Sequence, residues 1–364
     1  MEIVKAGTLT SQESRLGELD LDNVVFGETF SDHMFSMLYE NGAWQKPEII
    51  PYGSTPFEPG VMLLHYAQTV FEGLKAFRGV DGSIRIFRPD RNALRLQKSC
   101  RRMCIPEIDE TVFLDALDKL IGIDRDWVPD RPGYALYIRP VVVSAEPHLE
   151  VRPSSRFRFF IMTCPTGPYF ETDGEGLSLK VEETYARTAP YGGVGEAKTG
   201  ANYATTFLAG SQARADGFDQ VLWLDGGEHR FVEEAGLMNV FFKIEDRVVT
   251  LLNGAILPGV TRESIIALLA DDGVAVEERP VTIDEVVSAF DDGTMQEVFI
   301  TGTAAGVLPV VGLNFKGRDL KLAEKGQARR HAGFTANSPA YNMAGLRTAT
   351  AGTGSLWSEF MLTP

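Results

Sequence analysis

The sequence contains few of the residues that bind metals or form disulfides. It has three cysteines, Cys100, Cys104 and Cys164, without CxxC spacing, and its five histidines are scattered. An odd number of unpaired cysteines is typical of a reducing compartment. Because histidine and cysteine do not cluster at ligand spacing, we expect neither a metal centre nor a disulfide framework.

The chain also lacks an excess of positive charge and any long apolar run. Its formal net charge is −15, which disfavours nucleic-acid partners because a polyanion repels an acidic protein. No segment approaches the ~20 apolar residues that span a membrane. The N-terminus, Met1 to Gly7, shows no basic region followed by an apolar segment. These features predict a cytoplasmic protein without membrane contact.

What is present indicates a globular chain of two domains. Asn41-Gly42 and Asp81-Gly82 separate β-prone segments and predict tight hairpins. Helical periodicity runs from about Asp90 to Met103, and a capping box begins at Thr282. Because hairpins and separate helices are mixed without strict alternation, we predict α+β architecture and not a doubly wound sheet.

A segment rich in proline and glycine separates the two halves of the chain. It extends from Cys164 to Gly176 and shows no apolar periodicity. We therefore predict a small N-terminal domain over 1–165, an interdomain loop over 166–176 and a larger C-terminal domain over 177–364. Within the second domain, the tail from about Phe334 to Thr353 is rich in small residues and predicts a loose segment.

Lys198 is the most informative single residue. It lies between glycine-rich turns, and Tyr203 follows five residues later. A lysine held there and desolvated has a lowered pKa, and its neutral amine is then a nucleophile. This is the requirement for a lysine that forms a Schiff base. The alternative reading is an ordinary solvated surface lysine.

The same segment resembles a nucleotide-binding phosphate loop. Gly192-x-x-x-x-Ala197-Lys198-Thr199 differs by one residue from GxxxxGK[ST]. The second required glycine is Ala197, whose Cβ would crowd the phosphates, and no apolar strand precedes the segment. A nucleotide hydrolase is therefore disfavoured.

Several segments have the composition of an anion site. Pro258-Gly259 leads into a helix near Thr261, and helix N-termini bind anions. The run Thr301–Gly306 follows an apolar strand. A plain helix start and an ordinary turn explain these segments equally well. Basic side chains also follow one face of the helix that starts near Asp90, where a solvated face is the usual meaning; they are Arg91, Arg95, Lys98 and Arg102.

Two adjacent carboxylates, Glu233 and Glu234, end a predicted strand. A carboxylate in such a position can hold a protonated ring nitrogen, as in enzymes that use pyridoxal 5'-phosphate (PLP). Acidic residues in a turn are usually only solvated, and the local sequence does not distinguish between the two glutamates.

Taken together, these segments resemble the branched-chain amino acid aminotransferases, PLP enzymes of fold type IV. The segments that carry the resemblance, in chain order, are Phe71–Phe77, Tyr137–Pro140, Lys198–Tyr203, Glu234–Asn239, Leu257–Arg262 and Thr301–Ala305. The resemblance implies a homodimer, with the cofactor held between the two domains of each chain.

The resemblance also implies roles for individual residues around PLP. Lys198 matches the lysine that forms the Schiff base, Tyr203 the tyrosine that hydrogen-bonds the ring oxygen, and Glu234 the partner of the ring nitrogen. Arg95 matches the phosphate arginine. The remaining phosphate positions are Val260, Thr261 and Thr301.

The implied reaction is reversible transamination of L-leucine, L-isoleucine and L-valine with 2-oxoglutarate. Thr303 and Ala304 match the turn that receives the substrate α-carboxylate, and Arg139 matches the residue that accommodates the distal carboxylate of glutamate. The apolar pocket is implied at Phe26, Tyr66, Phe71, Tyr137 and Tyr169.

The sequence departs from the family at two places. Ala305 and Leu308 stand where mammalian members carry a redox CxxC, and Leu237 replaces a threonine. Alternatives of the same fold are a D-amino acid aminotransferase and an aminodeoxychorismate lyase. A non-catalytic acidic interaction protein would leave the lysine and glutamate motifs without a purpose.

Overall fold

The computed structural model describes residues 3–5, 13–169 and 176–322. Their contacts divide them into two compact units. Unit 1 comprises the described residues up to Tyr169 together with Ala197–Gly200, and unit 2 comprises the other described residues. The short segment that contains Lys198 thus belongs to the first unit, although the surrounding chain belongs to the second. The domain limits 1–165 and 177–364 stay predictions, and the tail near Phe334 lies outside the described residues.

Unit 1 is built on a nine-stranded, mostly antiparallel sheet. Its strands are β1 Val4–Lys5, β2 His33–Glu40, β3 Ala43–Trp44, β4 Glu48–Pro51, β5 Thr69–Phe71, β6 Leu74–Arg78, β7 Ile84–Ile86, β8 Ala135–Ser144 and β9 Phe157–Thr166. The helices are α1 Met62–Tyr66, α2 Pro89–Arg102 and α3 Glu110–Ile123. Strands β8 and β9 pair over their full length in the middle of the sheet.

The core of unit 1 lies between the sheet and helices α2 and α3. Leu96 of α2 and Phe113 of α3 are fully buried in the same cluster as Phe159 of β9. Burial of an aromatic or branched side chain contributes about 2 kcal/mol each. The helical spacing of apolar residues in α2 therefore serves to cover the sheet.

Unit 2 contains the second nine-stranded sheet. Its strands are β10 Leu177–Val181, β11 Gln220–Leu224, β12 Val232–Ala235, β13 Met238–Ile244, β14 Arg247–Thr250, β15 Ala275–Glu278, β16 Met295–Gly302, β17 Gly306–Phe315 and β18 Arg318–Lys321. The helices are α4 Ala201–Ala204, α5 Phe207–Ala215, α6 Val260–Asp271 and α7 Ile283–Asp291.

Six strands of unit 2 close on themselves. The order β12-β11-β10-β17-β16-β13 returns to its start because β12 also pairs with β13. Such closure removes exposed strand edges. The buried side chains of these strands form one cluster that includes Leu179, Phe242 and Ile300. The barrel thereby fixes the rim on which β12, β13 and β16 end or begin.

The elements agree closely with the sequence signals. The turn at Asn41-Gly42 joins β2 to β3, and both residues have positive φ. Capping residues also act as expected, since Thr282 accepts a hydrogen bond from Glu285 N at the start of α7. The segment predicted as one helix after Ala204 is instead divided between α4 and α5. Among the described residues, no helix is both long and apolar enough to cross a membrane.

Removal of the α7 cap tests the local reading of the sequence. We expect Thr282→Ala to lower the stability of α7 by ~1 kcal/mol, because the Glu285 amide loses its acceptor. Hydrogen exchange of the α7 amides should then be about fivefold faster. Thr282→Ser keeps the hydroxyl and is the matched control. Equal exchange in both variants would show that the hydroxyl does not cap the helix.

Candidate active site

In unit 1 the main chain at Lys198 is held on both sides. Its N–H donates to Ser99 Oγ at 3.0 Å, and its carbonyl accepts from Phe71 N at 2.9 Å. The next residue, Thr199, is fully buried and donates its hydroxyl to Thr69 O at 2.7 Å. The lysine segment thus extends β5 and contacts α2. It does not form a cradle of unbonded N–H groups, which agrees with the rejection of a phosphate loop.

The side chain of Lys198 lies in an apolar and cationic environment. Its Nζ is 4.9 Å from the centroid of the Phe71 ring. Burial, and to a smaller extent the charge of Arg95, lower the pKa of Lys198 to about 8 against weaker opposing effects of Glu72 and Tyr137. A substantial fraction of neutral amine is therefore present near neutral pH, as a nucleophilic or basic lysine requires.

Arg95 differs from the other basic residues of its helix. It is 6% exposed, whereas Lys98 and Arg102 are exposed. Its Nε donates to Glu72 Oε1 at 2.8 Å and its Nη2 to Glu72 Oε2 at 2.7 Å. Burial thus singles out one arginine from a face that the sequence presented as uniformly basic, and it is the arginine predicted to bind phosphate.

Five of the predicted substrate residues form one cluster in unit 1. The ring of Phe26 contacts Tyr137 at 4.8 Å and Tyr169 at 5.3 Å between centroids. The guanidinium of Arg139 lies 4.7 Å from the centroid of Phe71 and donates to the Tyr137 hydroxyl at 2.9 Å. The cluster therefore joins aromatic walls to one cation, and Phe71 also contacts Lys198.

Tyr66 has a different setting. It is 39% exposed, and its hydroxyl donates to the carbonyl of Leu149. Leu64, Leu149 and Val151 are also exposed, at 65%, 62% and 82%. The structure thus groups Tyr66 with exposed apolar side chains of the same unit.

In unit 2, Glu234 is a buried carboxylate with a buried cation beside it. Arg187 Nε lies 3.1 Å from Glu234 Oε2, and each side chain is 3% exposed. The other oxygen of Glu234 accepts from Asn239 Nδ2 at 3.2 Å and from Leu257 N at 3.1 Å. A carboxylate with such partners stays ionised.

The start of α6 is fixed to the same carboxylate. Asn239 also donates to the carbonyl of Leu257 at 3.0 Å, so the residues that precede α6 are bonded to β12 and β13. Gly259 precedes the helix, and a Cβ there would collide with Asn239 Oδ1. No side chain caps the helix. The first amides, at Val260 and Thr261, therefore begin α6 close to Asn239.

Thr301 lies on β16, directly opposite Asn239 of β13. It is 2% exposed, and its Oγ1 has no hydrogen-bond partner among the described residues. A buried hydroxyl without a partner is costly and indicates a missing one. Thr303 and Ala304 occupy the half-buried turn between β16 and β17. Val260, Thr261 and Thr301 thus belong to one rim of the barrel.

Tyr203 lies on α4 and is half-buried. Its neighbour Asn202 is buried and donates to the carbonyl of Val194 at 2.8 Å. A Cβ at Gly195 would collide with the carbonyl of Ala255. The glycine-rich turn before the lysine therefore packs against protein main chain, which fixes the start of α4.

Sequence reasoning did not identify three polar residues of this site. They are Glu72, Ser99 and Arg187, and each is buried. Glu72 lies inside the motif Phe71–Phe77 and Ser99 one helical turn after Arg95, so periodicity offered a signal for Ser99. Arg187 is distant in sequence from Glu234, and only the fold brings the two together.

Comparison with known proteins gives the family. Residues 69–313 match the sequence profile of "Amino-transferase class IV". The chain belongs to the class IV aminotransferases.

Similar proteins cover most of this class IV chain. A branched-chain-amino-acid aminotransferase 2 of Bacillus subtilis (strain 168) is 45% identical over 305 residues, which are 83% of this chain and 84% of the relative. A branched-chain-amino-acid aminotransferase of Mycobacterium tuberculosis (strain CDC 1551 / Oshkosh) is 43% identical over 331 residues, or 89% and 88% of the two chains.

Solved structures agree with the fold. A branched-chain aminotransferase from Thermoproteus uzoniensis with norvaline has a TM-score of 0.70 and 20% identity, and covers 91% of this chain and 99% of that one. A T.th. branched-chain amino acid aminotransferase with pyridoxamine 5'-phosphate has a TM-score of 0.62 and 27% identity, over 78% and 87%. The predicted α+β architecture of fold type IV is confirmed.

The class IV chain carries a second buried carboxyl beside its glutamate–arginine pair. Glu233 is 3% exposed, and its Oε2 has no hydrogen-bond partner among the described residues. Burial raises the pKa of Glu233 from 4.5 to about 7, and the charges of Glu234 and Asp225 add to the rise while Arg187 opposes it. Glu233 therefore holds its proton below neutral pH.

This raised pKa predicts a specific dependence of stability on pH. Between pH 4.5 and about 7 the folded chain binds a proton at Glu233 that the unfolded chain has released, so stability falls as pH rises. Relative to Glu233→Gln, the wild type should lose about 3 kcal/mol of unfolding free energy across this range. Denaturant titrations at several pH values measure the difference.

The control is Glu228→Gln, which changes a carboxyl that is 59% exposed. It should follow the wild type at every pH. A constant difference between wild type and Glu233→Gln from acid to alkaline pH would contradict the assigned proton.

Proposed function

We propose that the protein catalyses reversible transamination of L-leucine, L-isoleucine and L-valine with 2-oxoglutarate, with PLP as cofactor. The observation that carries the proposal is the amine of Lys198, which has a lowered pKa and contacts an aromatic cluster that also holds Arg139. Family membership and the relatives' recorded activity support the same reaction.

PLP supplies an acceptor for the electrons of the substrate Cα when its ring nitrogen is protonated. The residues present fit it. Lys198 offers a neutral amine for covalent attachment, Glu234 an ionised carboxylate for the ring N–H, and Thr301 a buried hydroxyl without a partner among the described residues. The residues proposed to hold the cofactor are Arg95, Lys198, Tyr203, Glu234, Val260, Thr261 and Thr301.

In the chemical step, the amine of Lys198 takes the proton from the substrate Cα and returns it to the neighbouring carbon. A base of this kind works best when its pKa is close to the working pH, and burial brings the pKa of Lys198 to about 8. Glu234 retains the ring proton because Arg187 at 3.1 Å favours its ionised form.

One pocket must accept both a branched aliphatic side chain and a carboxylate. The rings of Phe26, Phe71 and Tyr137 offer apolar contacts, and Arg139 at their edge offers a charge-assisted hydrogen bond to the second carboxylate of glutamate. Main-chain amides at Thr303 and Ala304 receive the α-carboxylate. Since one methylene contributes only about 1–3 kcal/mol, discrimination among the three branched substrates should be weak.

We also propose a homodimer. Leu64, Tyr66, Leu149 and Val151 leave apolar surface exposed on unit 1, and exposed apolar patches are typical of protein interfaces. Tyr66 is then a residue of the pocket through the dimer. We expect neither nucleic acid nor membrane as a partner.

An absorbance spectrum tests the proposal first. With PLP, the protein should show a visible band that bleaches with L-leucine and returns with 2-oxoglutarate, because the two half-reactions interconvert the cofactor forms. Lys198→Ala should lose turnover by several orders of magnitude while the far-ultraviolet circular dichroism is unchanged. Lys180→Ala, which removes a half-exposed lysine paired with Asp216, is the control.

The other outcomes of this experiment separate the alternatives. A band that responds only to D-amino acids, or release of pyruvate from aminodeoxychorismate, would transfer the activity to the other members of the fold. A protein that gains no band with PLP would reject the proposal.

Arg139 tests the dual specificity. Arg139→Met keeps the apolar stem and removes the cation, so kcat/KM for L-glutamate should fall about 10–100-fold, the value of a charged hydrogen bond. For L-leucine we expect a loss of less than about threefold, since an apolar side chain gains nothing from the charge. Single half-reactions followed by absorbance give both constants. Equal losses for the two substrates would assign Arg139 a structural role only.

A further inference from the structure

Glu72 is the most completely buried charged residue of unit 1 that has no role in the proposed reaction. It is 0% exposed. Arg95 binds both of its oxygens, and Asn92 Nδ2 donates to Oε2 at 2.7 Å. The Gly73 amide donates to the same oxygen at 3.2 Å. A fork of this kind between two buried side chains fixes the orientation of both.

One face of α2 connects this fork to the lysine. Asn92, Arg95 and Ser99 follow at intervals of three and four residues and therefore lie on the same side of the helix. The first two bind Glu72, and Ser99 accepts the Lys198 amide. The helix thus holds a carboxylate, a guanidinium and the lysine main chain in one row.

The chain around Glu72 completes the connection. Glu72 N donates to the Pro140 carbonyl at 2.8 Å, and the preceding residue, Phe71, donates to the Lys198 carbonyl. Glu72 is therefore bonded to β8 through its main chain and to α2 through its side chain. It cannot shift without moving the segments that hold Lys198.

The two charges act on Lys198 in opposite directions. Arg95 lowers the pKa of the amine and Glu72 raises it. Tyr137 also raises it and Arg139 lowers it. If Glu72 lost its charge, the buried Arg95 would have no balancing carboxylate, and the amine would lose its proton at lower pH.

We propose that Glu72 is a positioning residue of the reaction: it fixes the guanidinium of Arg95 near Lys198 and supplies the buried negative charge that balances it. This inference rests on the proposed function, in which Lys198 is the reactive lysine. Its chemical content concerns the protein alone, and it is therefore testable without the cofactor.

The test uses the protein freed of PLP. Trace labelling with acetic anhydride over a range of pH, with the labelled Lys198 peptide quantified by mass spectrometry, gives the pKa of this amine. We expect Glu72→Gln to lower it by about one unit, since one nearby charge shifts a buried group by that order. The double variant Glu72→Gln/Arg95→Gln should return it to within a few tenths of the wild-type value, because both opposing charges are gone.

A purely structural role would not give this pattern. If loss of Glu72 only loosened the region, the pKa of Lys198 would rise toward that of a solvated lysine in Glu72→Gln and would not return in the double variant. An unchanged pKa in Glu72→Gln would also overturn the inference. If the single variant does not fold, the double variant alone still tests it, because a pKa far from the wild-type value contradicts the balance of charges.

The failure of this inference is distinguishable from failure of the proposed function. The labelling requires neither PLP nor turnover, and the visible band of the wild type with PLP requires no Glu72 variant. A wild type without the band would reject the function and leave the measured charge balance as a property of the fold.

Discussion

The attachment of the Lys198 main chain to β5 and α2 is the constraint on which the rest of the site depends. Two hydrogen bonds, from Lys198 N to Ser99 Oγ and from Phe71 N to the Lys198 carbonyl, add this segment to unit 1. Because the backbone is fixed, the amine remains beside Phe71, and burial rather than a single strong partner sets its pKa. A flexible lysine on a surface loop would stay protonated near neutral pH.

Each unit then balances one buried carboxylate with one buried arginine. Glu72 with Arg95 does so in unit 1, and Glu234 with Arg187 in unit 2. An isolated buried charge is very costly, so removal of either partner alone destabilises more than removal of both. Such pairs are a poor source of stability, and their value here is geometric, since each fixes the direction of a group that the proposed reaction uses. The same cost explains why Glu233, which lacks a hydrogen-bond partner at Oε2 among the described residues, keeps its proton.

Much of the fold follows from local signals. The hairpin at Asn41-Gly42, the helix beginning near Asp90 and the cap at Thr282 each depend on residues that are close in sequence, and all three appear as expected. The break between α4 and α5 does not follow from local signals, because Thr206 bonds back to the carbonyl of Tyr203 and the helix restarts beyond it. Barrel closure through β12 and β13 also depends on contacts that no local pattern encodes.

The sequence by itself determined which residue types were available: a lysine between glycines, two adjacent glutamates, a row of arginines and a set of aromatic residues. It did not determine which of them would lose water. Burial selects Arg95 from the basic face of α2 and supplies Arg187 as the partner of Glu234. Only the tertiary structure decides this, because desolvation and charge balance depend on neighbours that are distant in the chain, and these neighbours set the protonation states that the chemistry requires.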